Sequence, residues 1–320
     1  MEVAEKETVL SPPCPSFMEE FQSYWAQVPE KWFFLTLLAA WCLLFNFLGI
    51  SSFNFERTRP SLFLWVYHAW NEPIMDASHG NLITPVVAIL LWVKHKELAA
   101  TLARPWWPGL LLLGLALLLH IFGFLAQQPR VSLVALCFGL YSLVGLAWGW
   151  RTMKASFFPF FLFAFCMPLG TFVENLTLPL RVFTVKVTAW TCGLLLGVPV
   201  IPHGTALYDL SGKINFDVAA ACSGIRSFVA LLAVSTIFAF LTYRAIWKRA
   251  GMILLTIPLV VICNVIRLLA IVLAKQAFDE AAAHFIHEWF GFVTYLLAVG
   301  SMLAVSHWLK EDDLSKHSSA

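Results

Sequence analysis

Long apolar runs separated by short charged connections set the pattern of this chain. Residues 32–50, 106–126, 131–150, 156–173, 220–242, 250–274 and 285–308 each approach the about 20 apolar residues that a helix needs to cross a bilayer. A shorter run that begins near Ile74 and ends at Val93 predicts an eighth crossing. The pattern therefore predicts an all-α polytopic membrane protein of about eight transmembrane helices. Lys94, Lys96 and Arg104 flank one connection, Arg151 and Lys154 a second, and Arg244, Lys248 and Arg249 a third. The positive-inside tendency makes those three connections cytoplasmic. Alternation then puts both termini inside and residues 51–73, 127–130, 174–219 and 275–284 outside. Arg57, Arg59, Arg181, Lys186 and Lys213 fall outside in this scheme, so the bias is one of density in short loops.

The polar rhythm changes in the outer stretch 174–219. Residues 178–196 mix apolar positions with Arg181, Lys186 and threonines, the pattern of an amphipathic helix that could lie in the interface. Beyond Pro202, residues 205–210 and 213–218 are separated by Ser211 and Gly212, and the second alternates Lys213, Asn215 and Asp217 with Ile214, Phe216 and Val218. That is the period of a strand, and the pair reads as a small β-hairpin leading into Cys222. The expected organisation is a cytoplasmic segment 1–31, one membrane domain 32–308 with an extracytoplasmic insert at about 174–219, and a cytoplasmic tail 309–320.

Composition sharpens this without redirecting it. Of 320 residues, 60% are hydrophobic and 12% charged, too few charges for a water-exposed surface. A net charge of +2 with basic residues scattered between apolar runs gives no nucleic-acid signal. The acidic, proline-containing start (Glu2, Glu5, Glu7, Pro12, Pro13, Pro15) is unlike a cleavable signal peptide, so the first apolar run is expected to be retained. Seven cysteines, scattered and without CxxC spacing, indicate neither a zinc site nor a disulfide framework. Gly145 and Gly149 form a GxxxG pair suited to helix packing, first of all within the chain.

Three short motifs carry candidate chemistry. Cys222-Ser223-Gly224-Ile225-Arg226-Ser227 stands at the outer start of a spanning helix. A membrane cysteine is ordinarily an inert small hydrophobe, but a helix N-terminus favours a thiolate, and the N–H groups that follow could receive an oxyanion. Ser223 or Asp217 could cap that helix. Asn264-Val265-Ile266-Arg267 sits in the next crossing, with Arg267 about 24 Å along the axis from Gly251. A lone arginine there would snorkel; Asn264, one turn away on the same face, argues for an inward polar site. His287-Glu288-Trp289-Phe290-Gly291 opens the last crossing, where histidine beside tryptophan is ordinarily an anchor but is also a general base for a thiol. His284 competes for that role. Gly291 stands where HExxH would need its second ligand, which excludes a zinc protease. Loop charges bring all three motifs to one face. A thiol, a guanidinium and an imidazole together are the parts of a cysteine peptidase or acyl-transfer site.

These motifs, in this order, resemble the bacterial exosortases of the exosortase/archaeosortase family. Ser78-His79-Gly80-Asn81, Phe158-Pro159-Phe160-Phe161 to Cys166-Met167-Pro168-Leu169 and Gly197-Val198-Pro199-Val200 are also similar to family features, and the likeness covers most of residues 74–306. The resemblance implies a polytopic, sortase-analogous transpeptidase or peptidase that processes secreted proteins, linked to exopolysaccharide. The implied substrates carry a C-terminal sorting signal: a Pro-Glu-Pro type motif, a transmembrane helix and a basic tail. It makes Cys222 the nucleophile, Arg267 the stabiliser of thiolate or transition state, and His287 the general acid/base. Ser223, Gly224, Arg226, Ser227, Asn264, His284 and Gly291 are the supporting or substrate-binding candidates, with Arg226 on the helix face of Cys222. Archaeal relatives tend to carry arginine at the third place, so His287 implies the bacterial inner membrane. The acyl acceptor is an amine, a lipid or water, and no metal, nucleotide or redox cofactor is needed. A transporter or lipid-linked glycan-handling protein with an anion site at Arg226, Arg267 and His287 is the alternative, and an inert scaffold a third reading.

Overall fold

A computed structural model describes residues 16–50, 60–71, 78–168, 171–209, 215–217, 224–278 and 280–308. Helices dominate, in the order α1 (Phe17–Gln27), α2 (Lys31–Phe47), α3 (Leu62–Asn71), α4 (Gly80–Val93), α5 (His95–Thr101), α6 (Gly109–Leu125), α7 (Pro129–Phe161) and α8 (Thr171–Thr191). A 3₁₀ turn (Leu162–Cys166) follows α7, and a π turn (Cys192–Leu196) ends α8. Strands β1 (Val200–His203), β2 (Ala206–Asp209) and β3 (Asn215–Asp217) come next, then α9 (Gly224–Thr242), α10 (Ile246–Ala277) and α11 (Glu280–Trp308).

Three helical stretches, Pro129–Cys166, Ile246–Ala277 and Trp289–His307, are long and apolar enough to cross a membrane. A fourth arises if α1 and α2, bent by 97° to each other, count as one, and Gly80–Val93, Gly109–Leu125 and Phe228–Thr242 are shorter apolar helices. A membrane protein built on apolar helices is thus what forms, while the count of eight crossings remains an expectation. On α6, Leu111, Leu118, Phe122 and Leu125 all stand exposed, as side chains that face lipid do.

The chain divides into two compact units, Met1–Ser51 with Ala88–Phe160, and Ser52–Val87 with Phe161–Ala320. In the first, Ser16 and Glu19 close a capping box that starts α1, a helix absent from the expected elements. Glu20 on α1 meets Lys96 at 2.8 Å and His95 at 3.4 Å on α5, and Phe17 packs on Trp92 with ring centroids 4.9 Å apart. Trp41 of α2 donates to the Leu136 carbonyl of α7 at 3.2 Å, its indole lying over Gly139.

The two crossings expected at 131–150 and 156–173 form as one helical stretch broken at Gly149 (φ 92°, ψ 167°). Tyr141 Oη donates to the Met153 carbonyl at 2.9 Å, and the Tyr141 and Phe160 rings lie 5.4 Å apart. In a straight helix residues twelve apart would be separated by about 18 Å, so α7 doubles back on itself at Gly149. A Cβ on Gly149 would sit 3.0 Å from the Arg104 carbonyl, and one on Gly145 would sit 2.6 Å from Met153 Sδ. The GxxxG pair therefore serves within the chain, with Gly145 giving room and Gly149 giving a backbone conformation that only glycine holds comfortably. The second arm ends with the 3₁₀ turn at Cys166, short of the expected 173.

In the second unit, α3 occupies residues expected to be an outer loop. Its Trp70 donates to the Cys166 carbonyl at 2.9 Å, and Gly80, the first residue of α4, lies directly against the Trp70 indole. The crossing expected from Ile74 thus begins its helix at Gly80, with 72–77 outside the described residues. The helix expected at 178–196 forms, but starts earlier, at Thr171. The expected hairpin forms between β2 and β3, with Leu207 opposite Phe216, and is extended by β1, with Pro202 opposite Leu207. The sheet runs β1-β2-β3, so proline occupies an edge strand, where its missing N–H costs least.

One core joins sheet and helices: Val200 and Leu207 from the strands, Val185 and Cys192 from α8 and its π turn, and Leu268, Ile271 and Val272 from α10. Farther along, Tyr243 Oη donates to Ser306 Oγ at 2.8 Å and Ser235 Oγ to the Met252 carbonyl at 2.8 Å, tying α9, α10 and α11 together. Lipid is as apolar as leucine, so close packing and such bonds, at about 0.6 kcal/mol each in membranes, hold the helices rather than burial from water.

Candidate functional site

Three consecutive helices, α9, α10 and α11, pack on one another in the second unit, and each carries one of the sequence motifs. Cys222 and Ser223 lie outside the described residues, just ahead of Gly224, the first residue of α9. Arg226 and Ser227 fall in the first turn of α9, and His284 and His287 lie on α11 near its start; the side chains of these four are outside the described set.

Arg267 is described in full. It is half-buried on α10, and its guanidinium faces Gly291 of α11: Cζ is 3.2 Å, Nη2 3.3 Å and Nη1 3.4 Å from where a Cβ on Gly291 would stand. Gly291 is needed here for space, since any side chain would contend with the guanidinium. His287 precedes Gly291 by one helical turn on the same face of α11.

Arg267 opens into a narrow cleft lined by Leu231 of α9, Val260, Cys263 and Asn264 of α10, and Gly291, Thr294, Tyr295 and Ala298 of α11. Asn264 also walls a second, narrow cleft with room for about one water, lined by Thr177, Leu180, Arg181 and Thr184 of α8, Phe228 of α9 and Val260. Of the expected residues, the structure thus brings Arg267, Asn264 and Gly291 together. Cys263, Thr294, Tyr295 and Arg181 enter these clefts without having been singled out by sequence. Cys263 carried a signal that could have been read, its place next to Asn264 in the arginine motif.

Chemically, a planar cation in a narrow, partly apolar cleft can stabilise a developing oxyanion more strongly than it could in water. The model of the family described as transmembrane exosortase matches residues 70–304, most of the chain. This chain belongs to that family. The match runs from α4 through α10 and most of α11, and so takes in the residues of all three sequence motifs. Neither the curated proteins nor the solved structures compared with it give a match to this exosortase-family chain.

Proposed function

We propose that this exosortase-family protein is a membrane cysteine peptidase or transpeptidase that cleaves C-terminal sorting signals, with Cys222 as nucleophile, Arg267 as oxyanion stabiliser and His287 as acid/base. The observation that carries this reading is the seating of the Arg267 guanidinium on Gly291, one turn from His287, in the helix trio whose first member begins just after Cys222. The trio's order along the chain and the family match support it.

In the proposed reaction His287 takes the proton of Cys222, and Sγ attacks the carbonyl of the scissile peptide in the sorting motif. Arg267 balances the charge that develops on that oxygen. Collapse breaks the C–N bond, His287 returns its proton to the departing amine, and the tail helix leaves. A thioester remains on Cys222. An amine, a lipid hydroxyl or water then attacks it, giving its proton to His287, and the thiolate departs. Asn264 and Arg226 position the peptide, and Ser223, Gly224 and Ser227 offer backbone and side-chain donors around the nucleophile. The site belongs at the outer face of a bacterial inner membrane, where the sorting helix of the substrate docks within the bilayer.

The test is co-expression with a secreted reporter that ends in a Pro-Glu-Pro type motif, an apolar helix and a basic tail. Cys222→Ala is expected to abolish cleavage while the enzyme accumulates in the membrane at its usual level; continued cleavage defeats the proposal.

A further inference from the structure

Arg181 of α8 lines the second cleft, and its Nε and Nη2 are buried there without a hydrogen-bond partner among the described residues. Those two nitrogens form one edge of the guanidinium, the side-on fork whose parallel N–H groups match the two oxygens of a carboxylate. Burying such an edge without a partner costs free energy, which a group that pairs with both N–H donors recovers. We propose that Arg181 is a receptor for a carboxylate side chain of the peptide substrate, which enters as the narrow cleft between α8, α9 and α10 widens to admit it.

Two features favour a carboxylate over a phosphate. The neighbouring Thr184 hydroxyl is already committed to the Leu180 carbonyl at 2.9 Å. The fork and the Asn264 amide then suit two oxygens rather than the three or four of a phosphate. Position matters as well. Asn264 walls both this cleft and that of Arg267, and Phe228 reaches in from the helix that starts after Cys222. An acidic residue bound at Arg181 would therefore be one side chain away from the reacting centre, which fixes the register of the peptide. This assignment rests on the proposed peptidase reading and names the determinant of its specificity.

The experiment pairs two reporters, one with glutamate in the sorting motif and one with glutamine there, against enzyme with Arg181, Arg181→Gln or Arg181→Lys. Cleavage and capture of uncleaved reporter on the Cys222→Ala background are both read. The unaltered site is expected to favour glutamate by about tenfold or more, Arg181→Gln to erase that preference, and Arg181→Lys to keep part of it, since a point charge lacks the fork. Where Arg181→Gln does not accumulate, Arg181→Lys decides, and an undiminished preference there overturns the proposal. A preference that survives Arg181→Gln overturns it as well. Parallel loss of both reporters together with a co-purifying phospholipid assigns the fork to a lipid headgroup and also overturns it. Capture that depends on glutamate and Arg181, without any cleavage that depends on Cys222, upholds the carboxylate site and overturns the peptidase reading alone.

Discussion

The guanidinium carbon of Arg267 lies 3.2 Å from the point at which a β-carbon on Gly291 would stand, so the arginine head rests on the bare backbone of the neighbouring helix. A methyl group there pushes the head away by a few tenths of an ångström, and a larger side chain removes it from the cleft. Displacement of a reacting group by 1 Å can cost about a hundredfold in rate. Gly291→Ala is therefore expected to slow reporter cleavage by about tenfold and Gly291→Leu to abolish it, with both variants retained in the membrane. The measurement is the initial cleavage rate normalised to enzyme abundance; an unchanged rate in Gly291→Leu would separate Arg267 from the chemistry.

Cys263 lines the same cleft as Arg267, and so competes with Cys222 as a source of the thiol. It sits within a continuous helix, away from any helix N-terminus that would favour a thiolate. Cys263→Ala is expected to keep cleavage within about twofold, while Cys222→Ala removes it. Quenching the reaction in acid and locating the acylated cysteine by mass spectrometry, with loss of the acyl mass in hydroxylamine marking a thioester, checks the assignment, and a thioester on Cys263 would reverse it.

Gly149 holds φ 92° and ψ 167° where α7 turns back, and a β-carbon would meet the Arg104 carbonyl at 3.0 Å. Conformation and crowding act together against any other residue. Gly149→Ala is expected to destabilise the first unit by about 1–3 kcal/mol, seen as a lower melting temperature in detergent. Gly197, at φ 66° with open space around it, is the control: Gly197→Asn should cost far less, because asparagine tolerates left-handed backbone.

The Glu20 carboxyl is held below its usual value of 4.5, first by its hydrogen bond to Lys96, then by the charges of Lys96 and His95. A depressed folded value means that the contribution of the pair is complete above 4.5 and is lost as pH falls through the lower folded value. The link between α1 and α5 should thus hold at neutral pH and loosen in acid. Spin labels at Gln22 and Ala99 would show the distance between them broadening as pH is lowered, and Glu20→Gln should give the broadened distribution at every pH. A pH-independent distance in the unaltered protein would show that the Phe17–Trp92 stacking alone suffices.

Which parts of this structure were readable in advance follows from the physics of each. Long apolar runs announced α10 and α11, because bilayer thickness imposes a length on them. Short helices such as α1, α3 and α5 left no such mark; tertiary contacts, including Trp70 to the Cys166 carbonyl and Glu20 to Lys96, secure them. The alternation through Asn215 and Asp217 gave away β3, while Pro202 concealed β1, whose edge position makes proline harmless. Gly149 looked like a packing glycine because a helical period says nothing about backbone sign. Arg267 was legible through its partner Asn264 one turn away, whereas Arg181 sat in an amphipathic pattern that suggested exposure at the interface. Only the packing of α8 against α9 and α10 shows that its fork is enclosed.

The core that joins β1 and β2 to α8 and α10 includes Leu268, the residue that follows Arg267. Sheet and arginine consequently belong to one cooperative unit, and a fluctuation that opens the strands also disturbs the helix that carries the cation. Amides of β2 and of α10 around Leu268 should share a single opening free energy in hydrogen exchange. In the proposed mechanism, loosening the strands ahead of Cys222 would then also unsettle the cation, so both are expected to be lost together.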